Sequence, residues 1–227
     1  MSPTCSRPMW TAGRRHGVRF GRRTGRSRSS GSVARSRHAA GMTVLRTSAL
    51  PASVAGLGDV VQLAFMWRDF EAGLRFWSGT MGAGPFFVID HVEFGEVRYR
   101  GAPAQLDLAV GIGYWGDLQI EFVHQHNNAP SIFHDWQKDG REGLHHVGIL
   151  VGDIAVAERV CADAGASVLL EGTMSGGRGR FFYARMAESA PFLEVIEPAG
   201  KLLNGFELMR EAARNWDGRD PIRRTGR

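Results

Sequence analysis

Four residues of this chain have side chains suited to holding a cation and stand at matching places in two halves of the sequence: Gln62, Glu121, His146 and Glu194. Val61-Gln62-Leu63-Ala64-Phe65-Met66-Trp67-Arg68-Asp69 is answered by His145-His146-Val147-Gly148-Ile149-Leu150-Val151-Gly152-Asp153. In each stretch a polar residue opens a short apolar run, and an Asp follows seven positions later. Each half then closes on an apolar run with a Glu inside it, Leu118–Val123 and Phe192–Glu197. One imidazole, one amide oxygen and two carboxylates form a mostly oxygen donor set. That set suits a borderline-to-hard divalent ion (Zn, Ni, Co, Mn or Mg) with open, water-filled positions, and disfavours soft thiolate chemistry. A structural zinc site would be closed and usually rich in Cys. Singly, each residue has a plainer explanation: a solvent-facing Gln62, rim carboxylates at Glu121 and Glu194, a satisfied core histidine at His146 with His145 competing for its role. Their repetition at equivalent positions favours one site at a pseudo-two-fold junction.

The elements that must position them follow from hydrophobic period and capping residues. Val60–Met66 has strand length, and Asp69 caps a helix continuing to about Met81, where Gly82 and Gly84 stop it. Strands are expected at Pro85–Ile89, around Glu96–Tyr99, around Ala104–Tyr114 and, after a Gly116-Asp117 turn, at Leu118–Val123. In the second half, a strand at His146–Val151 precedes a helix from the Asp153 cap through Ala164. Strands at Ser167–Leu170, Phe181–Arg185 and Pro191–Ile196 follow, with a turn at Gly176-Gly177-Arg178-Gly179. Ser131 caps a short helix between the halves, and Lys201–Ala213 reads as a terminal amphipathic helix. Both halves are read as β-α-β-β-β. The expected class is α+β: two paired βαβββ modules curved into a cup-shaped mixed sheet, with module one at 58–125, a linker at 126–143, module two at 144–200 and a helix and tail at 201–227.

These two modules and four positions resemble the vicinal oxygen chelate superfamily, which includes glyoxalase I, methylmalonyl-CoA epimerase, extradiol dioxygenases and bleomycin-resistance proteins. Gly143-Leu144-His145-His146-Val147 and Leu193-Glu194-Val195-Ile196-Glu197-Pro198 look especially like the glyoxalase and epimerase branch. By that resemblance Gln62, Glu121, His146 and Glu194 are metal ligands, and the chemistry is that of a lyase, isomerase or epimerase acting alpha to a carbonyl or thioester. The metal would polarise substrate oxygens and stabilise an enediolate or enolate, and a carboxylate, Glu194 first and Glu121 second, would move the proton. An extradiol dioxygenase needs two His and one carboxylate on iron, which Gln62 argues against. A metal-free sequestering protein is the alternative of a different class.

The net charge of +5 is unevenly spread. Residues 1–50 hold eleven Arg, no Lys and no acid, so the remainder carries −6 and gives no support for nucleic-acid binding. A disordered leader over residues 1–55 is expected, with translation starting at Met42 as the plainest account of it. No run of eighteen apolar residues points to a membrane, and the two cysteines, Cys5 and Cys161, read as unpaired thiols of a cytoplasmic protein. The expected partner is a small molecule, and a homodimer is compatible with the exposed strand edges. Arg178 and Arg180 could clamp a substrate carboxylate or phosphate, against the plainer reading of a solvated loop. His124 and His126 could reach the mouth of the cup, against the plainer reading of polar residues at a strand end.

Overall fold

A computed structural model describes residues 53–224; the expectations for residues 1–52 lie outside them. The elements are, in order, β1 (Val60–Met66), α1 (Phe70–Gly79), β2 (Phe86–Ile89), β3 (Phe94–Tyr99), β4 (Ala102–Pro103), β5 (Leu108–Trp115) and β6 (Leu118–Gln125). Then come α2 (Ile132–Lys138), β7 (Gly143–Leu150), α3 (Ile154–Asp163), β8 (Ser167–Met174), β9 (Gly179–Arg185), β10 (Phe192–Pro198), α4 (Gly200–Arg214) and β11 (Ile222–Arg224). The repeated Asp residues prove to be helix caps. Asp69 accepts from the Ala72 amide, and Asp153 accepts from those of Ala155 and Val156, which satisfies donors that a helix start leaves free.

All strands join one sheet in the order β11-β2-β5-β6-β1-β7-β10-β9-β8-β3-β4. The halves meet where β1 pairs antiparallel with β7, and β6 and β10 flank that pair in parallel. The first half has two strands more than a β-α-β-β-β order allows, and the structure gives them to the other half: β3 pairs with β8, and β4 pairs with β3. The chain therefore leaves β2 near one end of the sheet and enters β3 near the other. The link from Ile89 to Phe94 spans at most about 18 Å even when fully extended. Only a sheet curled upon itself brings its ends that close. This is the cup.

Helices cover its outer face. Leu74 and Trp77 of α1 pack with Phe86, Val88, Ile120 and Phe122. The approach is close at Gly73, where an added Cβ would lie 2.3 Å from the Phe122 ring. Ala157 and Cys161 of α3 pack likewise on Phe182, Ala184 and Val195. The concave side holds a separate apolar cluster that includes Met66, Val123, Tyr183 and Phe192, closed by Phe133 and Trp136 of α2 and by Leu202 and Phe206 of α4. None of the helices is long and apolar enough to cross a membrane, among the described residues.

The short helix α2 depends on Ser131. Its buried hydroxyl accepts from the Phe133 and His134 amides and donates to Gln125, whose amide nitrogen bonds the Asn127 and Ala129 carbonyls. Ser131→Ala should lower unfolding free energy by about 1–2 kcal/mol, read from urea midpoints with an unchanged slope. No shift in the midpoint would mean that the loop 126–131 holds α2 without the cap.

Candidate metal centre

The register of the central strands explains why the four residues converge. In the antiparallel β1–β7 pair Gln62 lies opposite Gly148, and Ala64 lies opposite His146. In the parallel pairs Ala64 is beside Glu121 and Gly148 is beside Glu194. Ala64 and Gly148 are themselves equivalent, each two residues beyond its half's candidate ligand. The two halves thus present the same arrangement, rotated about the β1–β7 junction.

The pairing is also irregular at equivalent places. The register shifts between Val60 and Gln62 and again between Ala64 and Phe65, which leaves Val61 and His145 as the residues without a direct partner. Each is the residue just before a candidate ligand. A bulge re-aims side chains next to it, and in the second half it brings the Nδ1 atoms of His145 and His146 to 2.9 Å. Both rings are fully buried. His145 is enclosed by Phe133, Trp136 and Phe192, with ring centroids about 5 Å away, and burial holds its pKa well below 6.5, with the His146 charge adding to the shift. A neutral His145 can accept the Nδ1–H of His146. That leaves His146 Nε2 to face the carboxylates.

His146 Nε2 lies 3.2 Å from Glu121 Oε2 and 3.3 Å from Glu194 Oε2. These are ion-pair distances, but the alignment of neither meets hydrogen-bond geometry: His146 Nε2 and Glu194 Oε2 are buried without a hydrogen-bond partner. Gln62 Oε1 is a third such atom. One atom each from Glu121, His146 and Glu194 lies within 4.8 Å of the others, a spacing that a single ion can bridge. Three buried polar atoms without partners at one place fit a divalent cation that would replace the His146 proton, since a buried polar atom without a partner is costly. Burial works against charge on His146, yet the two carboxylates outweigh it and hold the ring's pKa up to about 9. Burial also pushes the Glu121 carboxyl up, against the pull of the His146 ring.

The residues around the set were less legible. Gln62 Nε2 donates to Gln119 Oε1 at 2.7 Å, Gln119 Nε2 donates to the Tyr114 hydroxyl at 2.9 Å, and that hydroxyl donates to the Phe206 carbonyl of α4 at 3.2 Å. A carbonyl only accepts, so the polarity of the whole chain is fixed and Gln62 must turn its oxygen to the site. Gly148 makes room for it, because a Cβ there would sit 2.5 Å from Gln62 Oε1. On the other side, the Tyr183 hydroxyl donates to Glu194 Oε1. Gln119 and Tyr183 were open to discovery by strand alternation alone, being two residues from Glu121 and from the inward Phe181. Their roles were not.

Gln62, Glu121 and Glu194 line one cavity of about 110 Å³, with apolar walls that include Ile112, Val123, Phe133, Leu202 and Phe206, and His146 lies behind the two carboxylates. Arg178 also lines it, with Nε and Nη2 bonded to the Ser175 and Glu93 carbonyls. The structure does not bring Arg180 to this cavity. It pairs with Glu197 at 2.7 Å beside a different, open groove that Glu96, Glu158 and Glu171 also line.

The cup of paired modules, with four candidate ligands at their junction, points to a class of protein. The chain belongs to the Glyoxalase/Bleomycin resistance protein/Dioxygenase superfamily, whose family model matches residues 61–183. No curated protein matches the chain in sequence. Solved structures of similar fold include methylmalonyl-CoA epimerase from Mycobacterium tuberculosis, at 14% identity over 68% of this chain and 96% of that one, with a TM-score of 0.45. Another is a Streptomyces coelicolor methylmalonyl-CoA epimerase variant in complex with 2-nitronate-propionyl-CoA, at 15% identity over 63% and 99% with a TM-score of 0.45. A hypothetical protein from Bacillus halodurans shares 13% identity over 63% and 95%, also with a TM-score of 0.45. The likeness is one of fold.

Two outcomes test the centre. Because His146 holds its proton up to about 9, an ion taking Nε2 must displace that proton. Near pH 7 about one proton per ion should be released, and affinity should rise about tenfold per pH unit until it levels off near the ring's pKa. Calorimetry in buffers of different ionisation enthalpy reads this directly, and binding without proton release would remove His146 from the ligand set. Tyr183→Phe strips Glu194 of its hydrogen bond and should weaken ion binding about tenfold to a hundredfold.

Proposed function

We propose that this protein is a metal-dependent lyase, isomerase or epimerase of the glyoxalase type, acting on the carbon alpha to the carbonyl or thioester of a small-molecule substrate. The observation that carries this reading is that Gln62 Oε1 and Glu194 Oε2, buried and without hydrogen-bond partners, belong to residues lining one cavity, with the equally unpartnered His146 Nε2 within 3.3 Å of the Glu121 and Glu194 carboxylates. Gln62, Glu121, His146 and Glu194 would hold a divalent ion, with Zn, Ni, Co, Mn and Mg all compatible with the donors. Bound there, the ion supplies Lewis acidity towards the substrate's oxygens.

The chain's own residues have separable tasks. Glu194 is anchored through Oε1 by Tyr183, whereas Glu121 has only the ion pair to His146 among the described residues. Burial makes the Glu121 carboxylate more basic than usual. A carboxylate free to turn, with its pKa moved towards neutrality, is the better acceptor for a proton on carbon. Glu121 is therefore assigned the proton first and Glu194 second, the reverse of the order expected from sequence. The apolar walls keep water from competing for that proton. Arg178 at the cavity is placed to meet an anionic group of the substrate.

One observation favours a second reading, a metal-free protein that sequesters a small apolar molecule. His146 between two carboxylates already forms a charge-paired triad, so the cavity does not require an ion to persist. Elemental analysis separates the two. The parent should carry about one divalent ion at this centre, and a Gln62→Ala/His146→Ala/Glu194→Ala variant should lose it. With a turned-over substrate in hand, Glu121→Gln should lower kcat about 10²- to 10⁴-fold while ion is retained. A parent that takes up no ion at the buried centre after incubation with Mn, Co, Ni or Zn leaves the sequestering reading.

A further inference from the structure

We propose that the protein has a second, peripheral site for a divalent transition cation, formed by His91, Asp107 and His126 at the end of the sheet where β2 hands the chain to β3. It does not depend on the buried centre. One ligand-type atom from each of the three lies within 4.8 Å of the others. They come from separate stretches: His91 from the link after β2, Asp107 from the residue before β5, and His126 from the residue after β6. Backbone bonds already clip these stretches together, Val92 N to the Leu108 carbonyl at 2.9 Å and His126 N to the Asp107 carbonyl at 2.8 Å. The site is built before any ion arrives.

One ring nitrogen of His126 is already held by the backbone. His126 Nε2 lies 2.9 Å from the Asp90 carbonyl. That carbonyl only accepts, so Nε2 carries the hydrogen and Nδ1 keeps the lone pair. A backbone carbonyl on the other nitrogen is the usual way in which a ligating ring is oriented and made more basic. The orienting residue is itself held, since the Asp90 carboxylate pairs with Arg224 of β11. His91 Nδ1 sits 2.7 Å from Asp107 Oδ1, and the His91 and His126 rings are 5.1 Å apart. A plain surface ion pair between His91 and Asp107 would need neither His126 nor its carbonyl partner. Two imidazoles and one carboxylate, open outward to solvent, are a donor set for Zn, Ni, Cu or Co rather than for Ca or Mg.

The position gives such an ion a consequence. The Asp90–Glu93 link joins the two ends of the curled sheet, and Val92 and Glu93 line the buried cavity. An ion on His91, Asp107 and His126 fastens that link to the ends of β5 and β6 and stiffens one wall of the cavity.

The experiment is calorimetric titration of Zn²⁺ into the full chain, into a His91→Asn/His126→Asn variant and into a Glu121→Gln/His146→Ala variant. The variant lacking the buried centre should still bind one zinc per chain, and the His91→Asn/His126→Asn chain should lose that event or bind at least about tenfold more weakly. His91 and His126 are exposed, so their variant should unfold at the parent's temperature when zinc is absent. Should the buried-centre variant not fold, the count is made between the parent and the His91→Asn/His126→Asn chain, which should differ by one ion. Zinc binding unaltered by the histidine substitutions overturns the peripheral site. A parent that binds only the zinc lost with His91 and His126 supports it while overturning the buried metal centre.

Discussion

The antiparallel pairing of β1 with β7 is the constraint on which the rest of the molecule turns. Two copies of one supersecondary unit cannot each bury a concave face alone; joined edge to edge by these strands, they share one. The pairing also fixes which side chains meet. Gln62 opposite Gly148 and Ala64 opposite His146 are the same juxtaposition seen from the two halves, and the parallel neighbours Glu121 and Glu194 inherit the symmetry. A slip of one residue would turn every ligand to the outer face, where α1 and α3 pack. The bulges at Val61 and His145 interrupt the ladder only where a ligand follows. They cost backbone bonds and return a defined aim for the next side chain.

The symmetry is broken where the two halves need different donors. Gln62 offers an amide oxygen whose direction is set from a distance by the Phe206 carbonyl through Tyr114 and Gln119. His146, its counterpart, is aimed by the neutral ring of its own neighbour, His145. One ligand is therefore coupled to the C-terminal helix α4 and the other to the aromatic enclosure that α2 provides. A displacement of α4 should consequently disturb the Gln62 side of the centre before the His146 side, because the terminal acceptor of the hydrogen-bond chain is the Phe206 backbone carbonyl.

Much of this was legible in the sequence because it was written twice. The strands, the two capped helices and the four inward residues follow from period, caps and repetition. What stayed hidden has physical causes. The stretch around Glu96–Tyr99 reads as a strand from local composition, but nothing local says that its partner is β8; that follows from sheet curvature, a property of the whole fold. The bulge at His145 leaves no mark in an apolar run, so the choice between two adjacent histidines was open from sequence, and the structure shows that the second needs the first. Arg178 and Arg180 stand two residues apart, so they look alike in a Gly-rich turn. The presence of Glu197 across the strand pair separates them: it takes Arg180 and leaves Arg178 at the cavity.

The buried centre is balanced between two states that the same atoms support. Without an ion, a protonated His146 neutralises part of the charge of two close carboxylates, and the arrangement persists through Coulomb attraction in a poorly solvated cavity. An ion there would displace the proton and would give Nε2 and Glu194 Oε2 the partners they lack. In the second state, Glu121 would remain the least constrained member. Of the four candidate ligands Glu121 alone carries no hydrogen bond among the described residues, and its carboxylate is therefore the least constrained of the set.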